Sequence, residues 1–233
     1  MTDIIKQKRS IIPACDVSLK VYEEIVKETA GIDGVGAYKV GFQLGLLYGL
    51  PKVVKIARKY SDKPVIYDHQ KAGTDIPDTG KNFAETLAAA GVDAVILFPQ
   101  AGPETERAWI QAAQQEGLGV IVGGWMTHAK YVASEGGYLL DAAVFDIYRN
   151  AAREGVSDYV VPGNKPDIIA KIRALLEGEG VKPVFYAPGF VAQGGAISDA
   201  AKAAGERWHA IVGRGIYATD DIRAAAANLT RML

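Results

Sequence analysis

The chain has 233 residues and a formal net charge of -1, with 26 Lys+Arg against 27 Asp+Glu. This balance argues against a nucleic-acid-binding protein, which normally shows a basic excess, and the one cysteine, Cys15, excludes an intramolecular disulfide or a cysteine-rich zinc site. No apolar run approaches the ~18 residues that span a membrane, and the first residues lack the apolar core of a signal peptide. We therefore expect a cytoplasmic protein.

Short apolar runs recur along the whole chain and predict eight strands. They are apolar throughout rather than alternating, as expected for parallel strands that are covered on both faces. The predicted strands are Ile11–Cys15, Ala37–Gly41, Val65–Asp68, Ala94–Leu97, Val120–Gly123, Tyr159–Val161, Val184–Ala187 and Ala210–Val212.

The segments between these runs have helical spacing. Asp167–Glu177 carries one apolar stripe, with Pro166 suited to the first turn and Gly178 to the exit. Pro103 opens another predicted helix, which has Glu104 and Glu106 near its positive end. At the end of the chain, Thr219 is the predicted N-cap of a helix with Asp220 and Asp221 in its first turn.

The alternation of strands and helices predicts a (β/α)8 TIM barrel, with an open doubly wound sheet as the alternative. Eight strand–helix units are near the minimum for a barrel of typically ~250 residues. No Ser-, Gly- or Pro-rich linker divides the chain, so we expect a single domain over residues 1–233. In such a barrel the active site lies at the carboxyl ends of the strands.

Charged residues lie in or just after the first three predicted strands. They are Asp16, Lys39, Asp68, Lys71 and Asp75. Alternating Lys and Asp side chains at a barrel mouth can satisfy one another, and they also present an ammonium that can donate a proton. The alternative is an ion-pair network that only closes the top of the barrel.

Glycine-rich loops follow the seventh and eighth predicted strands, where this fold usually binds phosphate. The first contains Gln193, Gly194 and Gly195, and the second contains Gly213 and Arg214. Glycines let backbone N–H groups approach phosphate oxygens, and arginine adds a fork of donors. The alternative is tight turns and a surface arginine.

A third candidate segment follows the fifth strand. Thr127 is placed to hydrogen-bond a polar ring edge, whereas His128 has no evident partner. The chain has three histidines and no HxH or HxxxH pair, so the sequence predicts no metal site. His69, beside Asp68, is expected to face the other side of the strand, in a role that is structural or that supports the site residues.

These motifs together resemble the orotidine 5'-phosphate decarboxylase family. The matching pieces run in order over residues 11 to 218, and they are Ile11–Asp16, Tyr38–Gly41, Asp68–Thr79, Met126–His128, Pro188–Gly195 and Ile211–Tyr217. The resemblance implies decarboxylation of orotidine 5'-phosphate to uridine 5'-phosphate in pyrimidine biosynthesis, without cofactor or metal.

The resemblance also implies a role for each matching residue. Asp16 would bind the ribose, and Lys39 would belong to the charged array. Asp68 would lie beside the departing carboxylate, and Lys71 would protonate C6 of the pyrimidine ring. Asp75, Ile76 and Thr79 would enter from the neighbouring subunit of a homodimer. Thr127 would contact the pyrimidine edge, Gln193 would bridge pyrimidine and phosphate, and Gly194, Gly195, Gly213 and Arg214 would complete the phosphate site.

One spacing departs from the family pattern, which is Asp-x-Lys-x-x-Asp. Here Asp68, Lys71 and Asp75 have one additional residue in each gap. Residues i and i+3 of a strand do not share a face. Lys71 therefore reaches the side of Asp68 only if the backbone between them leaves extended geometry. Gly73 would allow a turn there.

Two other functions remain open from the sequence. One is a Mg2+-dependent phosphosugar decarboxylase or aldolase of the same suprafamily, and the other is a non-catalytic binder of phosphoribosyl ligands. All three candidate functions imply a small phosphorylated ligand and no nucleic-acid or membrane partner.

Overall fold

The structure is a computed structural model that describes residues 3–69, 74–190 and 198–233. Eight parallel strands close into a barrel in the order β1 to β8, which confirms the predicted TIM barrel over the open sheet. The strands are β1 (Arg9–Cys15), β2 (Tyr38–Val40), β3 (Val65–Asp68), β4 (Ala94–Leu97), β5 (Gly119–Gly123), β6 (Asp158–Val160), β7 (Val184–Pro188) and β8 (Trp208–Val212).

Helices surround the barrel, and two of them follow β2 where the sequence predicted one strand–helix unit. The helices are α1 (Leu19–Thr29), α2 (Phe42–Tyr48), α3 (Leu50–Arg58), α4 (Thr79–Ala89), α5 (Pro103–Gln115), α6 (Asp141–Arg153), α7 (Pro166–Gly178), α8 (Asp199–Ala204), α9 (Arg214–Tyr217) and α10 (Ile222–Thr230). Pro103 and Pro166 begin their helices as predicted, because proline has no N–H to leave unpaired in a first turn.

The predicted start of the last helix was wrong. Asp221, not Thr219, is the N-cap of α10, and its carboxylate accepts a hydrogen bond from the backbone N–H of Ala224 at 2.8 Å. The Thr219 hydroxyl instead donates to the carbonyl of Ile216 at 3.2 Å. The short helix α9, which the sequence did not predict, therefore occupies the residues just before α10.

Two apolar layers are formed by the two faces of each strand. The inner layer fills the barrel with side chains such as Ile12, Ile66, Ile121 and Tyr186. The outer layer packs the strands against the helices and is the larger of the two. Among the described residues, no helix is both long and apolar enough to cross a membrane.

His209 lies fully buried on β8, where its Nδ1 is 2.7 Å from the hydroxyl oxygen of Ser10. Burial lowers the pKa of His209 to about 3. The unfolded chain therefore binds a proton that the folded chain does not bind between that value and the ordinary pKa of about 6.5. The free energy of unfolding is expected to decrease as the pH falls through this window.

We expect His209 alone to lower the free energy of unfolding by about 1.4 kcal/mol between about pH 7.5 and 5.5. Urea unfolding of the wild type and of His209→Gln, which has no titrating ring, measures this difference. Equal pH dependence of the two proteins would show that His209 takes up its proton without unfolding.

Candidate active site

Strand register brings three of the predicted charged residues together. Lys39 on β2 pairs with Ala14 on β1 and with Ile66 on β3. Asp16 and Asp68 each lie two residues beyond these partners, and side chains two residues apart point to the same side of a strand. The Lys39 ammonium consequently lies between two carboxylates at the carboxyl end of the barrel.

The distances describe a tight pair and a looser third member. Lys39 Nζ lies 2.5 Å from Asp68 Oδ2 and 3.7 Å from Asp16 Oδ2. The Lys39 and Asp68 side chains are 5% and 0% exposed, whereas Asp16 is 34% exposed. Asp16 is thus the most exposed member of the array.

The protonation state of Lys39 follows from these neighbours. Burial by itself lowers the pKa of Lys39, but the charges of Asp68 and Asp16 outweigh it, so the pKa is raised above the usual lysine value. Lys39 therefore stays cationic at neutral pH, as an element of a preorganised charged array must.

A cavity of about 330 Å³ opens beside this array. Its walls come from the carboxyl ends of seven strands and their loops, and they combine Asp16 and Lys39 with an apolar surface. The lining residues are Ala14, Asp16, Lys39, Ile96, Phe98, Trp125, Met126, Thr127, Val160, Val161, Pro188, Ile211 and Gly213. The volume suits a small ligand, and the lining suits one that is largely apolar with few polar groups.

Several of these lining residues were missed by sequence reasoning. Ile96, Phe98, Val160 and Ile211 form apolar walls of the cavity and belong to the inner layer or pack against it. The strands are apolar on both faces, so the sequence alone does not distinguish an inner from an outer side chain. Only the closed register of the barrel selects them.

Thr127 lies at the cavity rim, exposed, at the predicted place after β5. Its backbone carbonyl accepts a hydrogen bond from Asn164 Nδ2 at 3.0 Å. His128 is also exposed, and its ring meets that of Tyr131 edge-on at 5.2 Å. The geometry supports the choice of Thr127 over His128, because only Thr127 lines the cavity.

His69 turns away from the charged array, as predicted. Its ring centroid lies 4.4 Å from that of Phe83 and 6.0 Å from that of Trp109, on helices α4 and α5. Burial lowers the pKa of His69, so its ring is neutral at pH 7. His69 is a packing residue of the outer layer.

The segment after β3 presents Asp75 and Ile76 to solvent. Ile76 is 57% exposed, although its carbonyl accepts hydrogen bonds from Trp109 Nε1 at 3.1 Å and from the Thr79 hydroxyl at 2.8 Å. The backbone N–H of Thr79 also donates to this carbonyl, at 3.3 Å. Three hydrogen bonds thus fix the backbone of a residue whose apolar side chain is exposed. Within the described residues, this segment contributes no wall to the cavity of its own chain.

Arg214 is exposed at the start of α9, next to the cavity-lining Gly213. Within residues 3–69, 74–190 and 198–233, no carboxylate forms an ion pair with it. Its guanidinium can therefore bind an anion without first breaking a salt bridge.

Four predicted site residues, Lys71, Gln193, Gly194 and Gly195, lie outside the described residues. β3 ends at Asp68, and His69 already lies outside the strand. The described residues contain no group of three or more His, Cys, Asp or Glu side chains arranged to hold a metal ion.

The absence of a side chain at Gly41 makes room for the carboxylate of Asp16. A Cβ atom at Gly41 would lie 2.7 Å from Asp16 Oδ1, too close for an unshifted carboxylate. We expect Gly41→Ala to displace Asp16 and to reduce kcat/KM for the substrate about tenfold, equivalent to about 1.4 kcal/mol.

The matched control is Gly31→Ala, because a Cβ at Gly31 meets no atom within 4 Å. Steady-state kinetics of both variants measure the effect. Equal kcat/KM for the two variants would show that the position of Asp16 does not matter for the reaction.

Comparisons with known proteins agree on one family. The family model described as "Orotidine 5'-phosphate decarboxylase / HUMPS family" matches residues 10–229. A protein of that enzyme name from Methanosarcina barkeri is 34% identical over 97% of this chain and 95% of its own length, and one from Methanocaldococcus jannaschii is 30% identical over 94% and 93%.

A solved structure matches closely as well. The crystal structure of orotidine 5'-monophosphate decarboxylase from Methanocaldococcus jannaschii, complexed with the inhibitor BMP, superposes with a TM-score of 0.80. That structure has 26% sequence identity, and the match covers 97% of this chain and 98% of the other.

Proposed function

Because the chain belongs to the orotidine 5'-phosphate decarboxylase / HUMPS family, we propose that it decarboxylates orotidine 5'-phosphate to uridine 5'-phosphate. The observation that carries the proposal is the buried Lys39 ammonium between Asp68 and Asp16, at the edge of a cavity with apolar walls. This arrangement offers fixed charges to the reacting end of a substrate and an apolar surface to its ring.

The proposed reaction uses the charged array. The bond between C6 and the carboxylate breaks, CO2 leaves, and the electron pair stays on C6. Asp68 lies beside the departing carboxylate, and the Lys71 ammonium transfers its proton to C6. Lys39 keeps the array in place through its 2.5 Å contact with Asp68.

The rest of the substrate is held by groups around the cavity. Asp16 binds the ribose, Thr127 contacts the pyrimidine edge, and Arg214 binds the phosphate, aided by Gly213. Gln193, Gly194 and Gly195 complete the phosphate site. Binding energy from the phosphate, remote from C6, orders the array for reaction.

We also propose a homodimer in which Asp75, Ile76 and Thr79 of one subunit complete the site of the other. Two observations support this arrangement: Asp75 and Ile76 are exposed, and the described part of their segment does not line the cavity of their own chain. An exposed isoleucine that is fixed by backbone hydrogen bonds suits a contact with a second subunit.

An assay with orotidine 5'-phosphate in EDTA tests the reaction. Turnover in EDTA supports the proposal. Activity on a phosphosugar that requires added Mg2+ would replace it with the phosphosugar reaction of the same family. Binding of the nucleotide without turnover would make the protein a phosphoribosyl-ligand binder.

Arg214→Ala tests the phosphate site. Loss of a charge-assisted contact to the phosphate is expected to cost roughly 2–4 kcal/mol, a decrease in kcat/KM of roughly 30- to 1000-fold. Turnover of the phosphate-free nucleoside, which never makes this contact, should change little. Equal damage to both substrates would mean that Arg214 has a structural role.

A further inference from the structure

A second cavity, of about 540 Å³, lies outside the barrel between helices α5 and α6. Its walls are mostly apolar, with Pro103, Leu139, Val144 and Ile147 among them. This cavity shares no lining residue with the cavity at the barrel mouth. The volume is in the usual range for a small-molecule site.

The unusual member of this wall is Glu106, in the first turns of α5. The sequence placed it near the positive end of the helix dipole, but only 1% of the residue is exposed. Its Oε1 has no hydrogen-bond partner among the described residues. The Oε2 atom lies 3.5 Å from Asn150 Nδ2, and the backbone of Ala151 also interacts with the carboxyl group. A buried polar group left in this state is costly unless something else satisfies it.

The Glu106 carboxyl is neutral at pH 7, because burial raises its pKa to about 8. A neutral carboxyl presents one O–H donor and one carbonyl acceptor side by side. A planar amide or lactam edge, with its N–H next to its C=O, offers the complementary pair.

The other polar groups of the cavity argue against a charged ligand. Arg149, Arg153 and Asp146 line it, and a charged ligand of either sign would have to compete with the ion pairs that these residues already make. Both arginines are already paired: Arg149 with Asp146 and Glu179, and Arg153 with Glu179 at 3.1 Å. An anion would have to compete with these carboxylates.

We propose that the cavity between α5 and α6 is a second binding site, separate from the barrel mouth, for a small neutral molecule that presents an amide or lactam edge to Glu106. The apolar walls hold the body of the ligand, and Asn150, whose contact with Glu106 is long, can turn its amide toward the same edge. The site is independent of the proposed catalytic function.

The probe for this site is 2-pyridone, a planar lactam, with N-methyl-2-pyridone as the control that lacks the N–H donor. Amide NMR spectra of the full chain locate the binding. We expect 2-pyridone to shift the signals of Asn150 and Ile147 saturably, and the N-methyl control to bind about tenfold more weakly. Shifts confined to the barrel mouth, around Thr127, would overturn the proposal.

Matched variants test the role of Glu106. Glu106→Gln keeps one donor and one acceptor and should retain affinity within about threefold, whereas Glu106→Leu removes both and should weaken 2-pyridone about tenfold. Unchanged affinity in the leucine variant would overturn the proposal. If that variant does not fold, Ala143→Trp, at an exposed position of the cavity wall, should block binding with Glu106 intact.

Discussion

Lys71→Ala is expected to fold normally and to lose decarboxylation by a factor on the order of 10³ or more. The proposed reaction leaves an electron pair on C6, and the Lys71 ammonium both stabilises that charge and supplies the proton. One substitution therefore removes two contributions to the rate. Steady-state turnover of orotidine 5'-phosphate, with circular dichroism to check the fold, measures the effect.

A control for this variant lies ten residues further along the chain. Lys81 on α4 has a side chain that is 78% exposed, and it pairs at 3.7 Å with Glu85 on the same helix. Lys81→Ala removes a lysine of the same charge from a solvated surface and should leave turnover unchanged. If Lys71→Ala keeps activity within about tenfold of the wild type, Lys39 becomes the better candidate for the proton donor.

Mixing two inactive variants, Lys71→Ala and Asp75→Ala, is expected to restore activity. In the proposed dimer Lys71 serves its own site and Asp75 serves the partner's. A mixed dimer then has one site with both lesions and one site with neither. Random exchange makes about half of the dimers mixed, so about a quarter of wild-type activity should return if the two sites act independently.

The matched control is a chain with both substitutions, mixed with the wild type in equal amounts. Under the shared-site proposal every mixed dimer is inactive, so about a quarter of the activity remains, from wild-type dimers alone. If Asp75 served its own subunit, about half would remain, and the mixture of single variants would stay inactive. Mass spectrometry of the mixtures confirms that the subunits have exchanged.

The sequence by itself predicted the class of fold and the residue types of the candidate site. Eight short apolar runs, each followed by a helical segment, identified the strands to within one or two residues at most ends. Parallel strands must be covered on both faces, so their composition is distinctive. The polar residues Asp16, Lys39 and Asp68 stood out because they interrupt or end apolar runs.

Tertiary structure decided which of these residues meet. Lys39 contacts Asp68 because the register between β2 and β3 sets Lys39 beside Ile66, two residues before the aspartate. The orientation of His69, by contrast, follows from the local alternation of side chains along a strand and was predictable from the sequence. A linear pattern gives the residue types, but the register between strands fixes their distances.

The burial of individual side chains also depends on the tertiary structure. Glu106 has the sequence position of a solvated helix-start carboxylate, yet α6 covers it and leaves one oxygen without a partner among the described residues. The apolar side chains that line the barrel-mouth cavity, such as Phe98, cannot be distinguished from other apolar strand residues in the sequence. The closed barrel shows that they face its interior. Whether a side chain is solvated depends on elements distant in the chain, and local sequence does not encode where those elements pack.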